Sequence, residues 1–247
     1  MIPKTSEELK MMREAGRIVA LVHQKMAELI GPGVSTKELD VAAYRIIEKA
    51  GATPSFLNEH GYPASICTSV NDVVIHGIPN DRKLCDGDIV SIDVGACYHG
   101  YHGDGAWTYA VGTISQERQR LLEVGQRCLF EGLKHVRNGV RLSDISHGIQ
   151  VYFLENGYST PLEYSGHGIG QKLHERPTVM NYGLAGRGPI LKTGMTLAVE
   201  PMIITGKCQV LTLDDGWTVV TKDHSDACHF EHTIVVTDDG YEILTKL

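Results

Sequence analysis

The sequence has little that would tie it to a membrane, a nucleic acid or an oxidising compartment. No apolar run in its 247 residues approaches the ~20 needed to cross a bilayer as a helix. The opening Met1-Ile-Pro-Lys-Thr-Ser-Glu-Glu-Leu9 lacks a basic stretch followed by an apolar one, so no signal peptide is expected. Basic residues are outnumbered, 23 Lys and Arg against 30 Asp and Glu, giving a net charge of −7. No basic stripe offsets that balance, which argues against a nucleic-acid-binding surface. Six cysteines, at 67, 85, 97, 128, 208 and 228, form no Cys-x-x-Cys pair. Scattered in this way they are poor evidence for a disulfide framework or zinc finger, and they read as free thiols in a reducing, cytoplasmic setting. What remains is the composition of an ordinary globular protein, 42% apolar and 21% charged, long enough for one large core or two small ones.

The chain repeats itself. Gly33-Val-Ser-Thr-Lys-Glu-Leu-Asp-Val-Ala-Ala-Tyr-Arg-Ile-Ile-Glu-Lys-Ala-Gly51 aligns with Gly139-Val-Arg-Leu-Ser-Asp-Ile-Ser-His-Gly-Ile-Gln-Val-Tyr-Phe-Leu-Glu-Asn-Gly157 at a shift of 139 − 33 = 106. Each copy has the apolar spacing of a helix, ends on glycine, and in the first copy begins with a capping box, Ser35 with Glu38. A longer helix is expected before each. One starts near Thr5, with Glu8 three residues on, and ends at Gly31-Pro-Gly33; the other runs from near Ser115 to Asn138-Gly139. The strands follow within one residue, since Asp88-Ile-Val-Ser-Ile-Asp93 falls on Met195-Thr-Leu-Ala-Val-Glu200. Asp104 then matches Glu231, with extra residues in the second copy. This predicts a single α/β (α+β) domain of two pseudo-twofold halves, about 1–112 and 113–247. Its antiparallel sheet lies at the centre, two pairs of helices lie outside, and the site falls where the halves meet.

Acids inside strand-like apolar runs demand an explanation, because a buried carboxylate must be paired, protonated or bound to metal. Alternation in a strand puts Ile89, Ser91 and Asp93 on one face and Val90, Ile92 and Val94 on the other. Asp93 and Asp104 would come from adjacent antiparallel arms, and so would Glu200 and Glu231. One such acid alone would read as a solvent-facing or salt-bridged residue. Four at symmetric positions, with His167 in Gly166-His-Gly-Ile-Gly170, read as ligands for two divalent ions, whose +4 balances the acids' −4. Oxygen-rich ligation with one imidazole suits manganese, iron(II) or cobalt better than a thiolate-type zinc site. Two such ions, on the order of 3.5–4 Å apart, would activate water for hydrolysis of a carbonyl. The remaining histidines are weaker witnesses. His23, His60, His135, His147 and His224 read as surface or packing residues, whereas His102 and His229 each stand two residues from an acid and share its face.

Taken in series, Asn71-Asp-Val-Val-Ile-His-Gly-Ile-Pro79, Asp93 with Asp104, Gly166-His-Gly-Ile-Gly170, Glu200-Pro201 and Glu231-His-Thr-Ile-Val-Val236 resemble a type I methionine aminopeptidase of the bacterial kind. The likeness covers essentially the whole chain and implies the pseudo-symmetric pita-bread fold. It implies a two-metal centre of cobalt, manganese or iron(II), with zinc or nickel as alternatives. Asp93 would bind one ion, Asp104 and Glu231 would bridge both, and His167 and Glu200 would bind the other, with a bridging hydroxide attacking the scissile carbonyl. Glu200 would also handle the proton of the attacking water. His76 and His174 match the family's two substrate-contacting histidines, although His76 on local pattern alone reads as a turn residue. The methionine side chain would enter an apolar pocket near Tyr62, Cys67 and Trp217.

The substrate implied is the N-terminal methionine of peptides and nascent chains whose second residue is small. The resemblance also implies transient ribosome contact, a monomer, and no specific nucleic-acid or membrane binding. Leu173 stands just before His174, where an aromatic residue is common, and Phe56 and Glu59 differ at the same edge. These differences leave the chemistry intact and bear on the shape of the pocket. With the resemblance beginning at the N-terminal residues given, a zinc-binding extension of the eukaryotic type I kind is not expected. Only 25 residues lie between His174 and Glu200, too few for the type II helical insertion. Two rivals remain. An aminopeptidase P or prolidase shares the ligands but carries a large additional N-terminal domain. A non-catalytic binding relative would tend to lose ligands and gain basic extensions.

Overall fold

In the computed structural model, which describes residues 2–247, the run Ile89–Tyr98 is a strand whose two faces separate as a period of two requires. Val90, Ile92, Val94 and Ala96 pack beneath helices α1 (Ser6–Leu29) and α2 (Thr36–Lys49), against Ile18, Val22, Met26, Leu39, Ala43 and Ile47. Asp93 is left on the opposite face. The second half repeats the device. Leu197, Val199, Ile203 and Ile234 pack with Leu121, Leu129, Ile145 and Ile149 of helices α3 (Gln116–Leu133) and α4 (Ser143–Glu155), which leaves Ala198 and Glu200 facing away.

Helices α1, α2 and α3 begin where their capping residues say, whereas α4 follows Leu142 without a side-chain cap. The Thr5 hydroxyl accepts from the Glu8 N–H at 3.3 Å and the Glu8 carboxylate accepts from the Thr5 N–H at 2.7 Å. Ser35 and Glu38 repeat the exchange, and the Ser115 hydroxyl accepts from the Arg118 N–H. α3 stops at Leu133, short of the expected Asn138-Gly139. There the turn tightens, with His135 bonded to Gly132 and Val136 to Leu133, and the Asn138 N–H is drawn off to the Thr237 carbonyl of the neighbouring sheet.

The expected central sheet is present as two larger antiparallel sheets rather than one. The first orders Thr53–Pro54, Ile89–Tyr98 and Ile66–Val70, with Tyr101–Ala110 also paired to Ile89–Tyr98. The second orders Tyr241–Ile243, His232–Val236, Thr196–Val199, Gly166–Gly168 and Glu175–Val179. Smaller ladders, Val210–Thr212 with Val219–Thr221 and Val73–Ile75, and Met202–Ile204 with Ala227–His229, flank them. The halves join through the ladder of Val219–Thr221 on Val73–Ile75 and through further bonds: the Asp104 N–H donates to Thr233 Oγ1 at 2.9 Å, Thr233 donates back to the Asp104 carbonyl at 2.7 Å, and the Glu231 N–H donates to the Ala106 carbonyl at 2.8 Å. α1 lies flush on Tyr101–Ala110 because Gly16 and Gly103 meet there; a side chain on Gly103 would strike the α1 backbone.

Candidate active site

The two acid pairs are built differently. In the first half Asp93 stands opposite Ala106 and Asp104 opposite Gly95, so the acids are diagonal neighbours on one face. In the second half His229 pairs with Met202 and His232 with Val199, and continuing that one register sets Glu231 directly opposite Glu200. The ladder breaks at this point. Pro201 has no N–H to give, and the Glu231 N–H goes instead to Ala106 in the other half. The Glu200 carbonyl is caught from outside by the Asn181 side-chain amide at 3.1 Å. The break brings the second pair of acids up against the first.

A cavity of about 520 Å³ opens onto them. Asp93, Asp104, His167, Glu200 and Glu231 all line it, so the five residues singled out as ligands converge. Glu231 is 2% and Asp104 4% exposed. His167 Nε2 lies 3.5 Å from Glu200 Oε1 and 3.8 Å from Asp104 Oδ2. Its Nδ1 is 2.9 Å from the Gly168 carbonyl, which fixes the N–H on Nδ1 and leaves a lone pair on Nε2 aimed at the acids. His76, His174, Tyr62, Cys67 and Trp217 line the same cavity, together with Phe56, Leu173 and, at the mouth, Glu59. The Tyr62 hydroxyl donates to the Ile66 and Gly77 carbonyls, and its ring meets Trp217 edge-on at 5.1 Å. Cys67 is the strand neighbour of Asp93. His76 stands in the irregular segment that follows Val73–Ile75, held at φ 58°, and that left-handed conformation delivers its ring to the cavity beside Tyr164 and Trp217. The His174 ring packs 4.5 Å from that of His167.

The electrostatics call for cations. Burial raises all four carboxyls: Asp93 to about 7, Glu200 to about 8, and Asp104 and Glu231 well above the usual range, the last two pressed further by their acidic neighbours. Burial lowers His167 to about 4, so its imidazole is neutral and able to ligate. Asp93 Oδ1, Asp104 Oδ1 and Glu231 Oε1 are buried without a hydrogen-bond partner. Such orphaned acceptors, beside an imidazole with its lone pair free, fit a metal-binding set. Asp104, His167 and Glu231 offer ligand atoms within 4.8 Å of one another, and so do Glu200, His229 and Glu231.

His229 is the residue that local pattern left open and the structure brings in. It is fully buried, with Nε2 3.3 Å from Glu200 Oε2. Its backbone is gripped on both sides by Thr108 Oγ1 across the halves. His102, equally eligible by spacing, turns away to Ser55 Oγ at 2.9 Å. Tyr164, Glu163 and Thr178 also line the cavity, and nothing in the local sequence signals them.

These shifts predict how metal-free protein responds to pH. A carboxyl raised by folding contributes stability that is present in full below its unfolded value near 4 and is lost as the pH rises through the folded values of about 7 and about 8. Half-buried histidines such as His23, His76 and His232, lowered to about 4 by desolvation, act oppositely, but only below about 6.5. In chelator the melting temperature should therefore fall between pH 6.5 and 8, read by calorimetry, and saturating manganese should remove the fall. A flat metal-free profile over that window would contradict the strain assigned to the acids.

The profile of metallopeptidase family M24 matches residues 10–238. Over 246 residues the chain is 54% identical to methionine aminopeptidase 1 of Bacillus subtilis, covering 100% of this chain and 99% of that one. The crystal structure of methionine aminopeptidase from Thermotoga maritima superposes with a TM-score of 0.98 at 42% identity, covering all of both chains. A prolidase from Pyrococcus furiosus, 23% identical with a TM-score of 0.82, covers the whole chain but 66% of its own length is matched, and shares the fold. The chain belongs to metallopeptidase family M24 and, within it, to the methionine aminopeptidases.

Proposed function

We propose that the protein removes the N-terminal methionine from peptides and nascent chains whose second residue is small. Supporting this reading is the convergence of four strained carboxyls and a neutral imidazole on the floor of a cavity whose wall is apolar. Asp93, Asp104, His167, Glu200 and Glu231 would together hold the divalent ions, with Glu231 common to both groups of neighbouring ligand atoms. Cobalt, manganese or iron(II) in that set supplies Lewis acidity and a water acidic enough to deprotonate near neutral pH.

The chain's own groups do the rest. The Glu200 carboxylate, ionised once cations balance the acid cluster, takes the proton of the attacking water and returns it to the departing amide nitrogen. His76, lowered by burial to about 4, and His174, lowered by partial desolvation of a ring that still meets solvent, are neutral and offer N–H donors to the scissile amide and to the oxygen that gains charge on attack. Tyr62, Cys67 and Trp217, with Phe56 and Leu173, close an apolar slot for the methionine side chain. The substrate's free amino group sits at the acid cluster, which restricts cleavage to the first residue. No helix among the described residues is long and apolar enough to cross a membrane. A monomer of one domain, built of halves 1–112 and 113–247, working in the cytoplasm with transient ribosome contact, completes the proposal.

The test uses Met-Gly-Met-Met-type peptides and Xaa-Pro peptides with added manganese or cobalt. Release of methionine from the first set only is expected. Cleavage confined to bonds before proline would transfer the protein to the prolidase branch, and no cleavage with any divalent ion would favour a binding role.

A further inference from the structure

We propose that Lys4 is a positioning residue for the reaction: paired with Glu175, it straps down the loop that carries His174 into the cavity. The inference rests on the role given to His174 above. Segment 2–5 precedes α1, and it is pinned to the turn before Thr196–Val199 by the Lys4 N–H, which donates to the Gly194 carbonyl at 2.7 Å. From this anchor the Lys4 ammonium reaches Glu175 Oε2 at 2.8 Å, across 171 residues of sequence. The two side chains are 10% and 21% exposed. Exposed ion pairs contribute little, but one so shielded escapes most solvent and salt screening, and its lysine is already fixed at the backbone.

Glu175 directly follows His174, and its other oxygen closes the loop, with Oε1 accepting from the Lys172 N–H at 3.3 Å while the Gly170 N–H donates to the Lys172 carbonyl at 3.1 Å. The loop has few apolar anchors of its own. Leu173 is buried, whereas Gln171, Lys172 and His174 are exposed. The last glycine of Gly166-His-Gly-Ile-Gly170 now has a reason. A side chain at Gly170 would collide with Lys4 Nζ and Glu175 Oε1, so this glycine is the space the ion pair occupies. Without the pair, Glu175 loses its tether, and the His174 ring spends less time packed on His167 and directed at the amide.

Lys4→Met is expected to lower kcat on a Met-Gly peptide about tenfold with KM changed by less than about twofold, because misplacing one contacting group costs rate rather than methionine binding. Manganese stoichiometry should stay as in the wild type. Gly170→Ala should reproduce the loss, since the atom it displaces is the end of a flexible side chain and the fold survives. Lys4→Met combined with Glu175→Gln should be no slower than either alone. In metal-free protein the ring resonances of His174 should shift or broaden in Lys4→Met while those of the half-buried His23, held by Tyr109 and the Gly105 carbonyl, stay put. A kcat within about twofold of wild type in Lys4→Met, multiplying losses in the double variant, or unmoved His174 resonances would each overturn the strap. If the wild type releases no methionine, the functional reading fails on its own, and the resonances still decide the strap.

Discussion

Glu200→Gln is expected to lower kcat by about 10²–10⁴-fold, the range that a positioned proton carrier contributes. The same substitution should raise the melting temperature of the metal-free protein at pH 8. Both effects have one origin. Burial lifts the Glu200 carboxyl to about 8, so ionising it in the folded protein costs stability that an isosteric amide does not. The amide keeps an oxygen for a cation and keeps the shape between His167 and His229, 3.5 Å and 3.3 Å away, but it cannot accept and return a proton. KM should change little, because Tyr62, Cys67 and Trp217 are untouched. A variant with near-normal turnover would take Glu200 out of the mechanism. One with an unaltered metal-free melting temperature would deny that its carboxyl is held under strain.

Glu231→Ala should strike the metal centre harder than any other single truncation. Glu231 belongs to both ligand groups, that of Asp104 and His167 and that of Glu200 and His229, so its loss opens both at once. Titration calorimetry with manganese is expected to show two sites in the wild type and at most one in the variant. The affinity loss should exceed the roughly 10–100-fold typical of removing an outer hydrogen-bond partner, and activity should be lost with it. The fold should survive, because the bond from the residue 231 N–H to the Ala106 carbonyl belongs to the backbone. The substitution also removes a buried carboxyl whose Oε1 has no partner. Two ions retained at wild-type affinity would show that Glu231 is no ligand.

Much of this site can be read along the chain because its signals are local. Alternation within Ile89–Tyr98 separates Asp93 from Val90, Ile92 and Val94 whatever the rest of the molecule does, and the Thr5 and Ser35 capping boxes span three residues each. His229 shows where such reading stops. His102 and His229 have the same two-residue spacing from an acid, yet one bonds Ser55 and the other reaches Glu200, a choice made by strands from the opposite half. The acid pairs teach the same lesson. The duplication makes them look equivalent, but register sets one pair on a diagonal and the other face to face. Local pattern reads His76 as a turn residue, and nothing in that pattern says that its positive φ carries the ring into the cavity.

The amino-acid order by itself determined the helices, the two acid-bearing strand pairs and the presence of four acids and an imidazole of a metal-ligating type, because hydrophobic period, capping and the penalty on buried charge act over a few residues. Tertiary structure alone decided which groups meet: the broken ladder at Pro201, the hold of Asn181 on the Glu200 carbonyl, the approach of His229 and the reach of Lys4 to Glu175. Those contacts join segments far apart in the chain. Their geometry depends on how two helix-covered sheets settle against each other, and no local pattern of residues encodes that distance.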